Sequence, residues 1–185
     1  MQNFKGTKTE ANLKAAFMGE SKANASYVCF AAKAKEEGHD AVARYFQATG
    51  LNEREHAKIW QRFLGIEDPA VINPDQIKVG STKDNLQAAI NGETYETTEM
   101  YPSFAKTAKE EGFNVVARLF DQVAGIEKSH ADYFKGLLDR LGSSGAASAA
   151  AAQNKWKCDK CGFLSSEKDA PASCPVCNST GFSHF

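Results

Sequence analysis

Two Glu-x-x-His motifs, Glu53 with His56 and Glu127 with His130, lie 74 residues apart in this chain. The spacing within each motif places both side chains on one face of a helix. The segment AKEEG at 34–38 recurs at 108–112, and VARYF at 42–46 recurs as VARLF at 116–120, all at the same offset. The repeat therefore constrains the chain to two related helical hairpins.

Helix signals divide the first 141 residues into four long segments. Thr7 and Glu10 form a capping-box pattern before the first segment, and Asp40 can cap the second. The third begins at Ser81 or Thr82, after a proline-containing connection, and the segments end near residues 38, 65, 112 and 141. Two hairpins joined by one long crossover predict an all-α four-helix bundle of the ferritin-like kind.

The third segment carries one residue more than its counterpart in the first hairpin. Glu20 matches Glu93 at an offset of 73, whereas Tyr27 matches Tyr101 at an offset of 74. One residue inserted into a continuous helix is usually absorbed as a π-bulge, and Pro102 should add a kink. The sequence predicts a distorted third helix beside the functional site.

Each hairpin also supplies acidic and imidazole side chains to the bundle interior. A buried carboxylate without a partner costs several kcal/mol, so a cluster of carboxylates requires cations among them. A Glu from each of two helices and a Glu-x-x-His from each of the others is the pattern of a two-metal carboxylate site, and such ligands suit iron or manganese. The candidate ligands are Glu20, Glu53, His56, Glu93, Glu127 and His130.

The repeat breaks at Glu96, whose counterpart is Ala23, so one metal has a further carboxylate within reach. Tyr27 and Tyr101 lie about two turns beyond Glu20 and Glu93. These tyrosines either orient ligand carboxylates through hydrogen bonds or pack in the core. Four glutamates flank helix ends and are expected to be solvated: Glu36, Glu37, Glu110 and Glu111.

The C-terminal part has a different composition. Residues 142–154, GSSGAASAAAAQN, cannot bury a core and are interpreted as a linker between a bundle at 1–141 and a small module at 155–185. The module contains two Cys-x-x-Cys pairs, Cys158 with Cys161 and Cys174 with Cys177. Four thiolates predict one tetrahedral zinc or iron, and spacing alone favours structural zinc.

Composition excludes several classes of function. The net charge of −1 provides no basic excess for nucleic acid or an anionic membrane surface. No apolar run approaches the length of a membrane span, and no secretory signal is visible, so we expect a cytoplasmic protein with metal-bound cysteines and no disulfides.

In order along the chain, these motifs resemble the rubrerythrin family, a ferritin-like two-iron bundle followed by a rubredoxin-like iron module. The resemblance implies iron at the four cysteines. It also implies that Glu53 and Glu127 bridge the two irons of the bundle. His130 and Glu93 would then serve one iron, while Glu20 serves a second iron that moves between Glu96 when oxidised and His56 when reduced.

The resemblance implies a peroxidase that reduces hydrogen peroxide to water in oxidative-stress defence. Catalytic roles would fall to Glu96, His56, Tyr27 and Tyr101. Electrons would enter through the cysteine-bound iron from rubredoxin or a separate NAD(P)H-dependent reductase, in a head-to-tail homodimer whose helical hairpins could be exchanged. The alternatives are a ferroxidase or iron-storage protein, and a zinc-stapled scaffold without activity.

Overall fold

A computed structural model describes residues 3–142 and 156–184 of the chain. A short 3₁₀ turn, Pro74–Gln76, lies in the connection between the two hairpins, and a π-helical segment, Glu96–Met100, joins α3 to α4. The bundle helices are α1 (Lys8–Glu36), α2 (Asp40–Leu64), α3 (Thr82–Tyr95), α4 (Tyr101–Glu110) and α5 (Asn114–Gly142). The predicted four-helix bundle is confirmed, with α3, the π segment and α4 together forming its third helix.

The π segment lies at the predicted site of the extra residue. The Tyr101 N–H donates to the carbonyl of Glu96, five residues back, instead of four as in an α-helix. Pro102, which has no N–H, falls in the first turn of α4, where its lack of a donor costs little. The distortion adjoins Glu93, the last buried residue of α3.

Helix starts follow the predicted capping in part. The Thr7 side chain accepts from the N–H of Glu10, but the Glu10 carboxylate accepts from the N–H of Gly6 at 2.7 Å. Ser81 and Asp84 form a complete capping box before α3. The expectation for Asp40 is wrong, because the residue is the first of α2 and no side chain caps that helix.

Two of the glutamates expected to be solvated, Glu37, which is exposed, and Glu111, which is half-buried, also cap helices of the opposite hairpin. The Glu111 carboxylate accepts from the backbone N–H of Lys8 at 3.0 Å and from that of Thr9 at 2.8 Å. Its repeat counterpart, Glu37, accepts from the N–H of Thr82 at 2.8 Å. Because the first N–H groups of a helix lack partners within the helix, these carboxylates tie each hairpin to the other.

The core consists of two aromatic clusters with a polar layer between them. One cluster contains Phe46 and Phe134, whose ring centroids are 5.0 Å apart, and the other contains Trp60 and Phe120, 4.6 Å apart. Between the clusters lie the buried carboxylates and imidazoles of the predicted metal site. The bundle therefore buries charge in the middle and apolar surface on both sides.

The C-terminal module is a three-stranded antiparallel sheet. Its strands are β1 (Trp156–Cys158), β2 (Leu164–Ser165) and β3 (Phe182–His184), in the order β2-β1-β3. In the β1–β3 register, Cys158 pairs with Phe182. Apart from Gly142, which ends α5, the predicted linker lies outside the described residues, so the proposed domain boundaries stay a prediction. Within residues 3–142 and 156–184, no helix is both long and apolar enough to cross a membrane.

Candidate metal centres

The bundle brings six predicted ligands together in two overlapping groups. Each group offers four ligand atoms within 4.8 Å of one another. The first group is Glu20, Glu53, His56 and Glu127, and the second is Glu53, Glu93, Glu127 and His130. All six side chains are buried, and only Glu53 and Glu127 belong to both groups.

Glu53 directs one of its two carboxylate oxygens toward His56 and the other toward His130, and Glu127 does the same. His56 Nδ1 lies 2.9 Å from Glu53 Oε2 and 2.9 Å from Glu127 Oε1. His130 Nδ1 lies 3.2 Å from Glu53 Oε1 and 2.8 Å from Glu127 Oε2. The two carboxylates therefore stand between two positions, each of which is completed by one histidine and one further glutamate.

The outer glutamates occupy equivalent places on the two sides. Glu20 Oε2 lies 3.6 Å from His56 Nδ1, and Glu93 Oε2 lies 3.6 Å from His130 Nδ1. Glu20 is on α1 and Glu93 on α3, so α1, α2, α3 and α5 each contribute at least one of the six ligands, whereas α4 contributes none. This arrangement has the approximate twofold symmetry that the sequence repeat predicts.

Burial and crowding shift the pKa values of these groups in opposite directions. Burial, followed by the neighbouring carboxylates, raises the pKa of Glu20 and of Glu93 to about 8. For Glu53, burial acts against ionisation, but His130 and His56 outweigh it and lower the pKa to about 2. At neutral pH, Glu53 is therefore ionised, whereas burial favours the protonated forms of Glu20 and Glu93.

Unpartnered polar atoms show that the cluster fits metal ions. Both oxygens of Glu53 and of Glu127, and Nδ1 of His56 and of His130, are buried; they approach one another to 2.8–3.2 Å, but none makes a hydrogen bond of good geometry with a described residue. Buried polar atoms are seldom left in that state because each costs about 1–3 kcal/mol. They converge in two groups of oxygen and nitrogen donors, so a pair of hard or borderline cations satisfies them together.

The two predicted tyrosines contact ligands of the opposite hairpin. Tyr27 donates its hydroxyl to Glu93, and Tyr101 donates to Glu20. Trp60 Nε1 in turn donates to the Tyr101 hydroxyl at 3.1 Å. Both phenols are buried, and burial together with nearby carboxylates raises their pKa well above the usual value, so they remain protonated donors.

Glu96 lies at the edge of the cluster and belongs to neither four-atom group. Its side chain is half-buried within the π segment. Burial, then the charges of Glu20 and Glu93, raise its pKa well above the usual value. His56, not Glu96, belongs to the four-atom group on this side of the cluster.

The four cysteines converge in the module. Cys158 Sγ lies 3.6 Å from Cys177 Sγ, Cys161 Sγ lies 3.5 Å from Cys174 Sγ, and no disulfide joins them. The residue after each knuckle adopts a left-handed conformation, Gly162 at φ 76° and Asn178 at φ 61°. Asn178 therefore performs the turn for which glycine is the usual residue.

The C-terminal module contacts the bundle next to the two histidines of the predicted metal site. His56 Nε2 lies 2.9 Å from the carbonyl oxygen of Cys161, and Asn52 Nδ2 donates to the carbonyl of Lys160 at 2.7 Å. A hydrogen bond therefore joins a residue of one metal group to a residue of the other. Sequence reasoning missed Asn52 and Gly162 as contact residues, although a comparison of Asn52 with its repeat counterpart Ile126 could have singled out the former.

Access to the bundle site is restricted. A groove of about 650 Å³ lies between α2, α5 and the second cysteine knuckle, but its lining includes none of the predicted ligands. Because the six core ligands are buried, the site suits a substrate of a few atoms better than a large organic molecule.

Comparisons with known proteins agree with this geometry. A family model described as rubrerythrin matches residues 11–138, and a model described as the rubredoxin-like domain of rubrerythrin matches residues 156–181. The chain is 43% identical to Rubrerythrin-1 of Clostridium acetobutylicum over 182 residues, which cover 96% of this chain and 93% of the relative. It is 40% identical to rubrerythrin of Porphyromonas gingivalis over 178 residues, covering 95% and 88% of the two chains. Among solved structures, fully reduced, all-ferrous nigerythrin matches with a TM-score of 0.73 at 30% identity, covering 100% of this chain and 94% of the other.

Proposed function

Because the chain belongs to the rubrerythrin family, we propose that it is a two-iron peroxidase that reduces hydrogen peroxide to water. The observation that carries this proposal is the contact between the two centres, His56 Nε2 with the Cys161 carbonyl. An iron-storage site needs no connection to a thiolate centre, and a zinc scaffold needs no route for electrons. A buried two-metal cluster joined to a one-electron donor suits a two-electron reduction of a small molecule.

The ligand roles follow from the donor groups. Glu53 and Glu127 would bridge two irons, because each shares its oxygens between both groups. Glu93 and His130 would complete one position, and Glu20 with His56 or Glu96 the other. Bound there, two irons supply a pair of electrons together and an electrophilic surface for peroxide oxygen.

The surrounding residues control protons and geometry. Tyr27 and Tyr101 hold Glu93 and Glu20 in place by hydroxyl donation and exclude water from the apolar clusters on either side. Because each phenol proton is already donated to a carboxylate, the hydroxyl oxygens would orient a peroxide or water molecule at the cluster by accepting a hydrogen bond from it. Glu96 stands at the edge, where it can replace His56 as a ligand when the oxidation state changes.

Electrons would enter at the module. Cys158, Cys161 and Cys174 are buried, whereas Cys177 is half-buried and gives the thiolate centre an exposed edge. A separate donor, rubredoxin or an NAD(P)H-dependent reductase, would contact this edge. The electron would then pass from the knuckle that carries Cys161 to His56.

The chain would also form a homodimer. A single chain already places its module on its own bundle, so the head-to-tail arrangement stays a prediction. The head-to-tail arrangement is tested by mixing a Cys161→Ala variant, which lacks a ligand of the thiolate centre, with a Glu127→Ala variant, which lacks a ligand of the bundle centre. Restored peroxide turnover in the mixture supports transfer between subunits, and no restoration indicates transfer within one chain.

Rapid mixing tests the peroxidase proposal. The fully reduced, iron-loaded protein should be oxidised faster by hydrogen peroxide than by oxygen, with both centres returning to the ferric state. Faster reaction with oxygen, together with accumulation of more ferric iron than the ligands can hold, would contradict the proposal in favour of iron storage.

A further inference from the structure

The two hairpins differ at the buried position one turn before each histidine. Asn52 precedes His56 by one turn on α2, and its repeat counterpart on α5 is Ile126, which precedes His130. Asn52 is 4% exposed and Ile126 is 2% exposed. Burying an amide is unfavourable unless it is hydrogen-bonded, so the asparagine requires a reason that the isoleucine does not.

The contact with the module supplies that reason. Asn52 Nδ2 donates to the carbonyl of Lys160 at 2.7 Å, and His56 Nε2 lies 2.9 Å from the next carbonyl, that of Cys161. Two side chains one turn apart on α2 thus hold two successive peptide groups of the first cysteine knuckle. These two bonds define the register of the knuckle on α2, in addition to the apolar packing that the module shares with the bundle.

Gly162 shows how closely the knuckle approaches. A Cβ built at this residue would lie 2.9 Å from Asn52 Oδ1 and 3.2 Å from His130 Nε2. The described residues give His130 Nε2 no hydrogen-bond partner, and Ile126 has no donor to offer the knuckle. The first cysteine knuckle is therefore hydrogen-bonded to His56 and not to the symmetry-related His130.

We propose, on the premise of the peroxidase function above, that Asn52 is a positioning residue that holds the Lys160–Gly162 peptides in register with His56 for electron transfer. Each transfer moves one electron from the ferrous four-thiolate centre, which becomes ferric, to the bundle centre. Two transfers replace the two electrons that one hydrogen peroxide takes up, with two protons, to give two water molecules.

Variants of Asn52 in the full-length, iron-loaded protein test this role. Asn52→Ile copies the counterpart residue, and Asn52→Ser keeps a polar side chain too short to reach the carbonyl. Asn85→Ser is the matched control, because Asn85 is also buried and its Nδ2 donates to the carbonyl of Gly80 at 3.1 Å, away from the module. Asn52→Ser also keeps the test valid if the isoleucine variant does not fold.

Two measurements separate positioning from general stability. When the fully reduced protein is mixed with peroxide, oxidation of the bundle centre should keep its rate in both Asn52 variants. Subsequent oxidation of the thiolate centre should slow about tenfold, as expected when one buried hydrogen bond is lost. Hydrogen exchange of the backbone amides at 158–163 should quicken in the same variants, while Asn85→Ser changes neither quantity.

Wild-type rates of thiolate oxidation and of hydrogen exchange in both Asn52 variants would overturn the proposal. A wild-type protein whose bundle centre does not react with peroxide would refute the peroxidase function instead. In that event hydrogen exchange alone decides the role of Asn52 in docking: faster exchange supports it, and unchanged exchange overturns it.

Discussion

Tyr101 donates its hydroxyl to Glu20 across the two hairpins and accepts a hydrogen bond from Trp60 at 3.1 Å. Tyr27 donates to Glu93 in the equivalent place, but no described residue is shown donating to its hydroxyl. Removal of the Tyr101 hydroxyl therefore leaves the Trp60 N–H without its acceptor, whereas removal of the Tyr27 hydroxyl leaves no such donor among the described residues.

Tyr101→Phe should destabilise the protein more than Tyr27→Phe. The first change leaves the buried Trp60 N–H without its acceptor, at a cost of about 1–3 kcal/mol, in addition to the loss that the two variants share. Urea unfolding of the iron-loaded variants measures the difference. Equal losses of stability would show that Trp60 finds another acceptor.

Glu96→Ala should leave the bundle folded and slow peroxide turnover. The side chain belongs to neither four-atom group, and burial, then the charges of Glu20 and Glu93, raise its pKa well above the usual value, so its removal deletes a neutral group and no ion pair from the metal-free protein. Turnover should fall because, under the proposed ligand exchange, one iron would lose its ligand in the oxidised state. Glu99→Ala, an exposed residue of the same π segment, is the control. Wild-type turnover in Glu96→Ala would exclude a ligand exchange.

Much of this arrangement could be predicted from the repeat, because helical spacing fixes which side chains share a face. The π segment followed from a one-residue difference in offset between Glu20/Glu93 and Tyr27/Tyr101. The pairing of Glu111 with Thr9 could not be predicted, because it joins residues distant in sequence through tertiary packing. The contact of Gly162 with the bundle could not be predicted for the same reason, whereas the difference between Asn52 and Ile126 in the repeat marks the position of Asn52 but not its partner.

The cross-hairpin caps should be lost in acid. Hydrogen bonds from Thr82 hold the pKa of Glu37 at about 2, below the ordinary 4.5 of an unfolded chain. A depressed pKa contributes stability above pH 4.5 that disappears as the pH falls toward 2. The same sign applies to Glu111, whose pKa is lowered by Thr9.

Glu37→Gln should therefore reduce stability near neutral pH and flatten its decline between about pH 4.5 and 2. Thermal melts across that range, compared with wild type, check the prediction. Glu36→Gln is the matched control, because the Glu36 side chain is 71% exposed and its recorded partner is the salt bridge to Lys33. An identical decline in Glu37→Gln and wild type would contradict the role of the cap.

Removal of the bundle metals by chelation should make the melting temperature of the protein depend on pH near neutrality. In the metal-free protein, burial raises the pKa of Glu20 and of Glu93 to about 8. A raised pKa contributes stability that is present below the unfolded value, near 4.5, and is lost as the pH rises through the folded value. The melting temperature of the metal-free protein should therefore fall from pH 5 to pH 8, whereas the iron-loaded protein should not show this decline. Parallel curves for the two forms would contradict the assignment of these carboxylates as ligands.

Gly162→Ala should slow electron transfer between the thiolate centre and the bundle centre. The residue has φ 76°, and an added Cβ would meet Asn52 Oδ1 at 2.9 Å and His130 Nε2 at 3.2 Å. Gly112→Ala separates the two causes, because Gly112 has φ 83° but nothing within 4 Å of its added Cβ. Both variants should lose about 1 kcal/mol to the left-handed backbone. Only Gly162→Ala should also push the first knuckle away from α2, slowing oxidation of the thiolate centre after peroxide reacts with the bundle. Equal rates in the two variants would mean that the knuckle yields without losing its contact with His56.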